Sequence, residues 1–89
     1  MKQRYLEVTY RKGKPIAAYL YLPRDIGTTA TRTEDAGHGL RVDYDAKGNV
    51  LGIELTAPGV VTAEQLNDVL TRLGQSPLQS AEWAPLEAA

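Results

Sequence analysis

The amino-acid sequence predicts an α+β domain: a mostly antiparallel, four- to five-stranded β-meander with one C-terminal helix packed on one face. Three observations carry that expectation. Residues 32–55 alternate polar and apolar side chains on both sides of a turn, the period of two expected of half-buried strands. Beyond Ala57-Pro58-Gly59 the apolar period lengthens to that of a helix. The 89 residues, 43% hydrophobic and 24% charged, have the composition of one ordinary globular domain.

The first strand spans residues 5–10, where Leu6, Val8 and Tyr10 alternate against Tyr5, Glu7 and Thr9. Residues 11–14 form a turn, and Pro15 opens the second strand at a place where a missing N–H is tolerated. That strand, residues 16–22, sets Ile16, Ala18, Leu20 and Leu22 on one side and Ala17, Tyr19 and Tyr21 on the other. A polar connection follows over residues 23–29. Residues 30–35 then form a weaker third strand, whose Thr and Arg suit an edge because it has little to bury. Gly37-His38-Gly39 turns the chain into a hairpin. Leu40, Val42 and Tyr44 face one way along it, and Arg41 and Asp43 the other. The turn is Asp45-Ala46-Lys47-Gly48-Asn49: Gly48 tolerates positive φ, while Asp and Asn bond their own backbone. Residues 50–56 return with Leu51, Ile53 and Leu55 on one face and Gly52 and Glu54 on the opposite one.

The helix has the fullest local signals. Thr62 is the N-cap, and Gln65, three residues on, completes a capping box. Val61 and Leu66 stand at the positions of a hydrophobic staple. Leu66, Val69, Leu70 and Leu73 follow at helical spacing, and Gly74 is placed to end the helix in a left-handed conformation. This helix, residues 63–73, should cover the face bearing Leu20, Leu40, Val42 and Ile53. Residues 1–75 therefore make the single domain. Residues 76–89 carry Pro77 and Pro85 beside Leu78, Trp83 and Leu86. They read as a partly ordered tail with a helical turn near residues 80–83 and a frayed end.

Bulk composition narrows the function classes. A chain of this size buries roughly 60–65% of its unfolded surface, enough for one modest core. A net charge of −1 gives no long-range attraction to nucleic acid or to an anionic membrane. Arg4, Arg11, Lys12 and Lys14 form only a thin basic cluster around the first hairpin, so nucleic acid is not the expected partner. The absence of cysteine removes disulfides, thiolate chemistry and cysteine metal sites. The first ten residues lack the apolar run of a signal peptide, and no stretch has the length of a membrane span. A cytoplasmic protein with no membrane contact is expected.

Residues 5–56 resemble a family of small bacterial proteins catalogued as domain of unknown function 2283. The matching residues are Tyr10, the strand Ala18-Tyr19-Leu20-Tyr21-Leu22, Arg32-Thr33-Glu34, and Val42-Asp43-Tyr44-Asp45. The match then runs through Gly48 to Gly52-Ile53-Glu54-Leu55. Two family acids are missing: Arg11 stands where an aspartate follows Tyr10, and Ile16 replaces the acid before the second strand. The resemblance implies a small cytoplasmic α+β protein with no established activity, and it points to an antitoxin-like role.

The chemical constellations are weak. Asp43, Asp45 and Glu54, with Gly48, imitate the acids and glycine of a calcium loop. Lys47 nevertheless stands where an oxygen ligand is required, and the flanks alternate as strands. His38, the only histidine, lies between two glycines without an orienting group or nucleophile in view. Ser76 and Ser80 carry no catalytic signature, and no G-x-x-x-x-G-K-[ST] phosphate loop is present. The neighbouring acids Glu34 and Asp35 point to opposite faces of a strand. No catalytic residue, cofactor or metal site is expected. The tyrosines are more informative. Tyr5, Tyr19 and Tyr21 fall on the strand faces opposite the aliphatic rows, where one helix cannot cover them. Aromatics with a polar tip are enriched at protein interfaces; the plainer alternative is that they lie flat on the sheet beside Thr9 and Arg41. With Trp83 in the tail they form the candidate interface. The expected function is a non-catalytic protein-interaction module, either a homodimer or an antitoxin-like partner of another small protein. The alternative is a small-ligand-binding or enzymatic domain using Asp43, Asp45, Glu54 or His38.

Overall fold

Alternating side chains build a sheet, and a change of period builds what covers it. The computed structural model describes residues 3–87. In chain order the elements are β1 (Tyr5–Arg11), β2 (Lys14–Tyr21), β3 (Arg32–Gly37), β4 (Leu40–Tyr44), β5 (Val50–Leu55), α1 (Ala63–Arg72) and α2 (Ser80–Glu87). The five strands form one antiparallel sheet in the order β1-β2-β5-β4-β3. A β1–β2 hairpin and a β3–β4–β5 meander are thus joined through β2 and β5, while β3 goes to the far edge. The strand expected at residues 30–35 starts and ends two residues later, and it does occupy an edge.

One face of the sheet is the core. Leu6, Ala18, Leu20, Leu22, Leu40, Val42, Ile53 and Leu55 are buried there, together with Val61, Leu66, Val69 and Leu70 from the helical segment. Ile16 departs from the expected aliphatic row: it is 51% exposed. The cause is a register shift. Thr9 pairs with Ala17 and Tyr10 with Pro15, so Ile16 is the unpaired extra residue of a bulge and loses its place in the alternation.

Helix α1 is held at both ends by its own sequence. Thr62 Oγ1 accepts from Gln65 N, and Gln65 Oε1 accepts from Thr62 N, each at 3.1 Å. At the other end Gly74 adopts φ +76°, Gln75 N donates to Leu70 O and Gly74 N to Thr71 O, which is a Schellman ending.

A second helix extends the expected architecture. The tail is not a single turn but the eight-residue α2, and the last residues, 88–89, lie outside the described residues. Helix α2 runs against β1, and Leu78, Trp83 and Leu86 pack on the same core that α1 covers. Its anchor is Arg4. The guanidinium meets Glu82 at 2.7 and 3.1 Å and also donates to the Ser76 and Pro77 carbonyls. Tyr10 Oη donates to Pro85 O, and Leu78 N donates to Asn67 Oδ1. Both helices therefore occupy one face of the sheet and leave the other open. No helix among the described residues is long and apolar enough to cross a membrane.

Candidate functional site

The uncovered face is laid out by strand register. Across the sheet from β1 to β3, one row holds Tyr5, Tyr21, Gly52, Asp43 and Thr33. The next row holds Glu7, Tyr19, Glu54, Arg41 and Asp35. Directly opposed residues on one face are cross-strand neighbours. Tyr5 and Tyr21 stack with ring centroids 4.8 Å apart and an interplanar angle of 19°. Tyr19 meets Tyr21 at 4.7 Å in a tilted arrangement. The Arg24 guanidinium lies over the Tyr21 ring at 5.4 Å, within cation–π range.

Gly52 gives the cluster its order. A side chain there would collide with the Tyr19 ring and approach Leu20 O to 2.7 Å. The missing Cβ lets Tyr19 lean across β5 and donate its hydroxyl to Asp43 Oδ2 at 2.7 Å. Thr33 Oγ1 donates to Asp43 Oδ1 at 2.6 Å. Residues of β2, β4 and β3 are thereby linked across the face. Burial, then the Asp43 hydrogen bond and the Asp43 charge, push the Tyr19 phenol far above its ordinary pKa, so it stays a neutral donor. Tyr21 is raised as well, first by partial desolvation and then by the charge of Glu7.

Trp83 does not join the three tyrosines. The tail that carries it is anchored by Arg4 on the core face, so Trp83 packs on the opposite side of the sheet. Sequence periodicity locates Tyr5, Tyr19 and Tyr21 on one face but does not reveal Gly52, Asp43 or Thr33 as parts of the same arrangement. Their association depends on cross-strand register, and the one local signal is a glycine interrupting a strand.

The residues of the enzymatic alternative do not line one common hollow. Asp43 is engaged by Tyr19 and Thr33. Asp45 closes its own turn: its Oδ1 accepts from Lys47 N and Asn49 N, each at 2.9 Å. Those bonds, the Asn49 N–H foremost, hold its carboxyl below the usual range. Asp45 borders an open polar hollow of about 540 Å³ with Arg24, Asp25, Thr28 and Asn49. Glu54 borders a separate shallow one of about 160 Å³ with Glu7 and Tyr19. His38 stands in the β3–β4 turn at φ +55°, its Nδ1 3.1 Å from Gln65 Nε2. Among the described residues no three His, Cys, Asp or Glu side chains are grouped to hold a metal ion. Comparison with family models, curated proteins and solved structures gives no match.

Proposed function

We propose that this chain is a non-catalytic, cytoplasmic protein-interaction module and that the open face of its sheet is the contact surface. One observation carries the reading: Tyr5, Tyr19 and Tyr21 form an ordered aromatic cluster on the face that neither helix covers. Rigid tyrosines offer large amphipathic contact area at small entropic cost. Glu7, Asp35, Asp43 and Glu54 share the face with Arg41, and Arg24 lies over Tyr21. Acidic groups therefore predominate. A second copy docked face to face would bring carboxylates against carboxylates, whereas a small protein with basic side chains would complement them. An antitoxin-like role requires a surface of this kind.

The test is affinity capture from the native host with the whole chain, compared among three forms. Native protein and the turn variant Lys12→Glu should retain one stoichiometric partner, and Tyr21→Glu should lose it. The purified partner should then bind more weakly as salt is raised, because the complementary charges are screened. Capture that is the same with Tyr21→Glu, or no stoichiometric partner with any form, would overturn the reading.

A further inference from the structure

The two edges of the sheet differ in what packs beside them. Against β1, on the core face, lies α2, tied down by Arg4 and Tyr10. At β3 the order of strands ends, and Arg32, Thr33, Glu34 and Asp35 are all exposed, two on each face of the sheet. An open edge presents unpaired N–H and C=O groups that template the addition of another strand. Charge on such an edge ordinarily repels newcomers, so the charge pattern decides which strand is admitted.

A second copy of β3 is the strand whose charges can match its own. Opposed residues of an antiparallel pair lie on the same face of the sheet, so a two-fold axis relating two β3 strands passes through a residue opposed to its own copy. Four exposed residues are available as that centre. Centring on Arg32, Glu34 or Asp35 sets two identical charges face to face. Centring on Thr33 sets Arg32 opposite Glu34 of the second copy, twice by symmetry, with Thr33 opposite Thr33 and Asp35 opposite Thr31. Opposite charges and paired threonines are favourable cross-strand neighbours, and like charges are not. The pairing also reuses an existing attraction, since Arg32 Nε already lies 3.1 Å from Glu34 Oε2 within the strand.

We propose that two copies of this chain join through β3 in the Thr33-centred register, forming one continuous antiparallel sheet across both. The helices of the two copies then lie on one side and both tyrosine clusters on the other. This surface is separate from the open face, and each copy keeps its own face free for a partner.

Sedimentation equilibrium of the whole chain at micromolar to sub-millimolar concentration tests it. The native protein should dimerise. Arg32→Glu sets Glu against Glu and should weaken the dimer at least tenfold, and Glu34→Arg should do the same by setting Arg against Arg. The double variant Arg32→Glu with Glu34→Arg restores opposite charges in swapped positions and should restore the dimer. Tyr21→Glu, on the open face, should leave it unchanged. Circular dichroism establishes that each variant is folded, and the two single variants are independent routes to the same loss. A native chain that stays monomeric across the range overturns the proposal. So does a dimer indifferent to the single charge reversals, or one that Tyr21→Glu dissolves.

Discussion

Gly52 lies where two demands on a strand conflict. Its neighbours Leu51 and Ile53 are buried in the core and Gly52 pairs with Tyr21 and Asp43, while Tyr19 needs an empty position beside it to reach Asp43. Glycine in a strand is entropically costly, and here the cost is offset by the bond the gap permits. Gly52→Ala should destabilise the fold by about 1–3 kcal/mol in urea denaturation, the usual range for forcing atoms into an occupied space. Tyr19→Phe should cost about 0.5–1.5 kcal/mol through the lost hydrogen bond. Their sum should exceed the double variant's loss, because Gly52→Ala already displaces the hydroxyl. The pH dependence has a definite sign. The folded state raises the Tyr19 pKa, so its contribution is fully present below the ordinary phenol value of 10.0 and is lost as pH rises above it. Tyr19→Phe should flatten the alkaline fall in melting temperature; an unchanged fall would remove Tyr19 as its source.

Among the elements, α1 and α2 differ in where their instructions lie. Everything that forms α1 is within a few residues of it: the Thr62–Gln65 box, the apolar stripe and Gly74. Such signals are legible in sequence. Helix α2 has Pro85 inside it and no buried residue of its own, and its anchor, Arg4, is 78 residues from Glu82 along the chain. A local reading sees a helical turn at residues 80–83 in a proline-bearing tail, while the full length of the helix and the side of the sheet on which Trp83 lies depend on that distant anchor. That β3 is an edge strand is legible in its Thr and Arg, but the pairing of β2 with β5, which puts β3 at the edge opposite β1, is not, because strand order is a nonlocal property. Arg4→Ala should release α2 alone. Hydrogen exchange should rise across residues 80–87 and stay unchanged in α1, and the Trp83 emission should shift to the red as the indole meets water. Acid should act on the same joint. Arg4 foremost, and then the Gln79 N–H, hold the Glu82 carboxyl below its ordinary value of 4.5. Its contribution is therefore present above that pH and lost as pH falls below it. A red shift preceding the loss of far-ultraviolet dichroism on acidification would follow; simultaneous changes would mean α2 is not separately released.

At the scale of the molecule, the sheet has one buried face and one core. Leu66, Val69 and Leu70 of α1 meet Leu20, Val42, Ile53 and Leu55 from three different strands in a single cluster. Aliphatic alternation makes that core legible, with Ile16 lost to a bulge that no local signal announces. Because no second core exists among the described residues to hold part of the sheet alone, damage at its centre should be felt everywhere at once. Leu70 is fully buried, with 0% of its surface exposed. Leu70→Ala should cost on the order of 2–4 kcal/mol, since it removes buried methyl groups and leaves a cavity that the surrounding strands cannot close. The measurement is urea denaturation followed by two probes, far-ultraviolet dichroism for the sheet and the fluorescence of Trp83 for the α2 side of the core. In Leu70→Ala both midpoints should fall together, whereas in Arg4→Ala the fluorescence midpoint should fall below the dichroism midpoint. A loss under about 0.5 kcal/mol would mean the α1 stripe is not the centre of the core. Separated midpoints in Leu70→Ala would mean the sheet holds together without it.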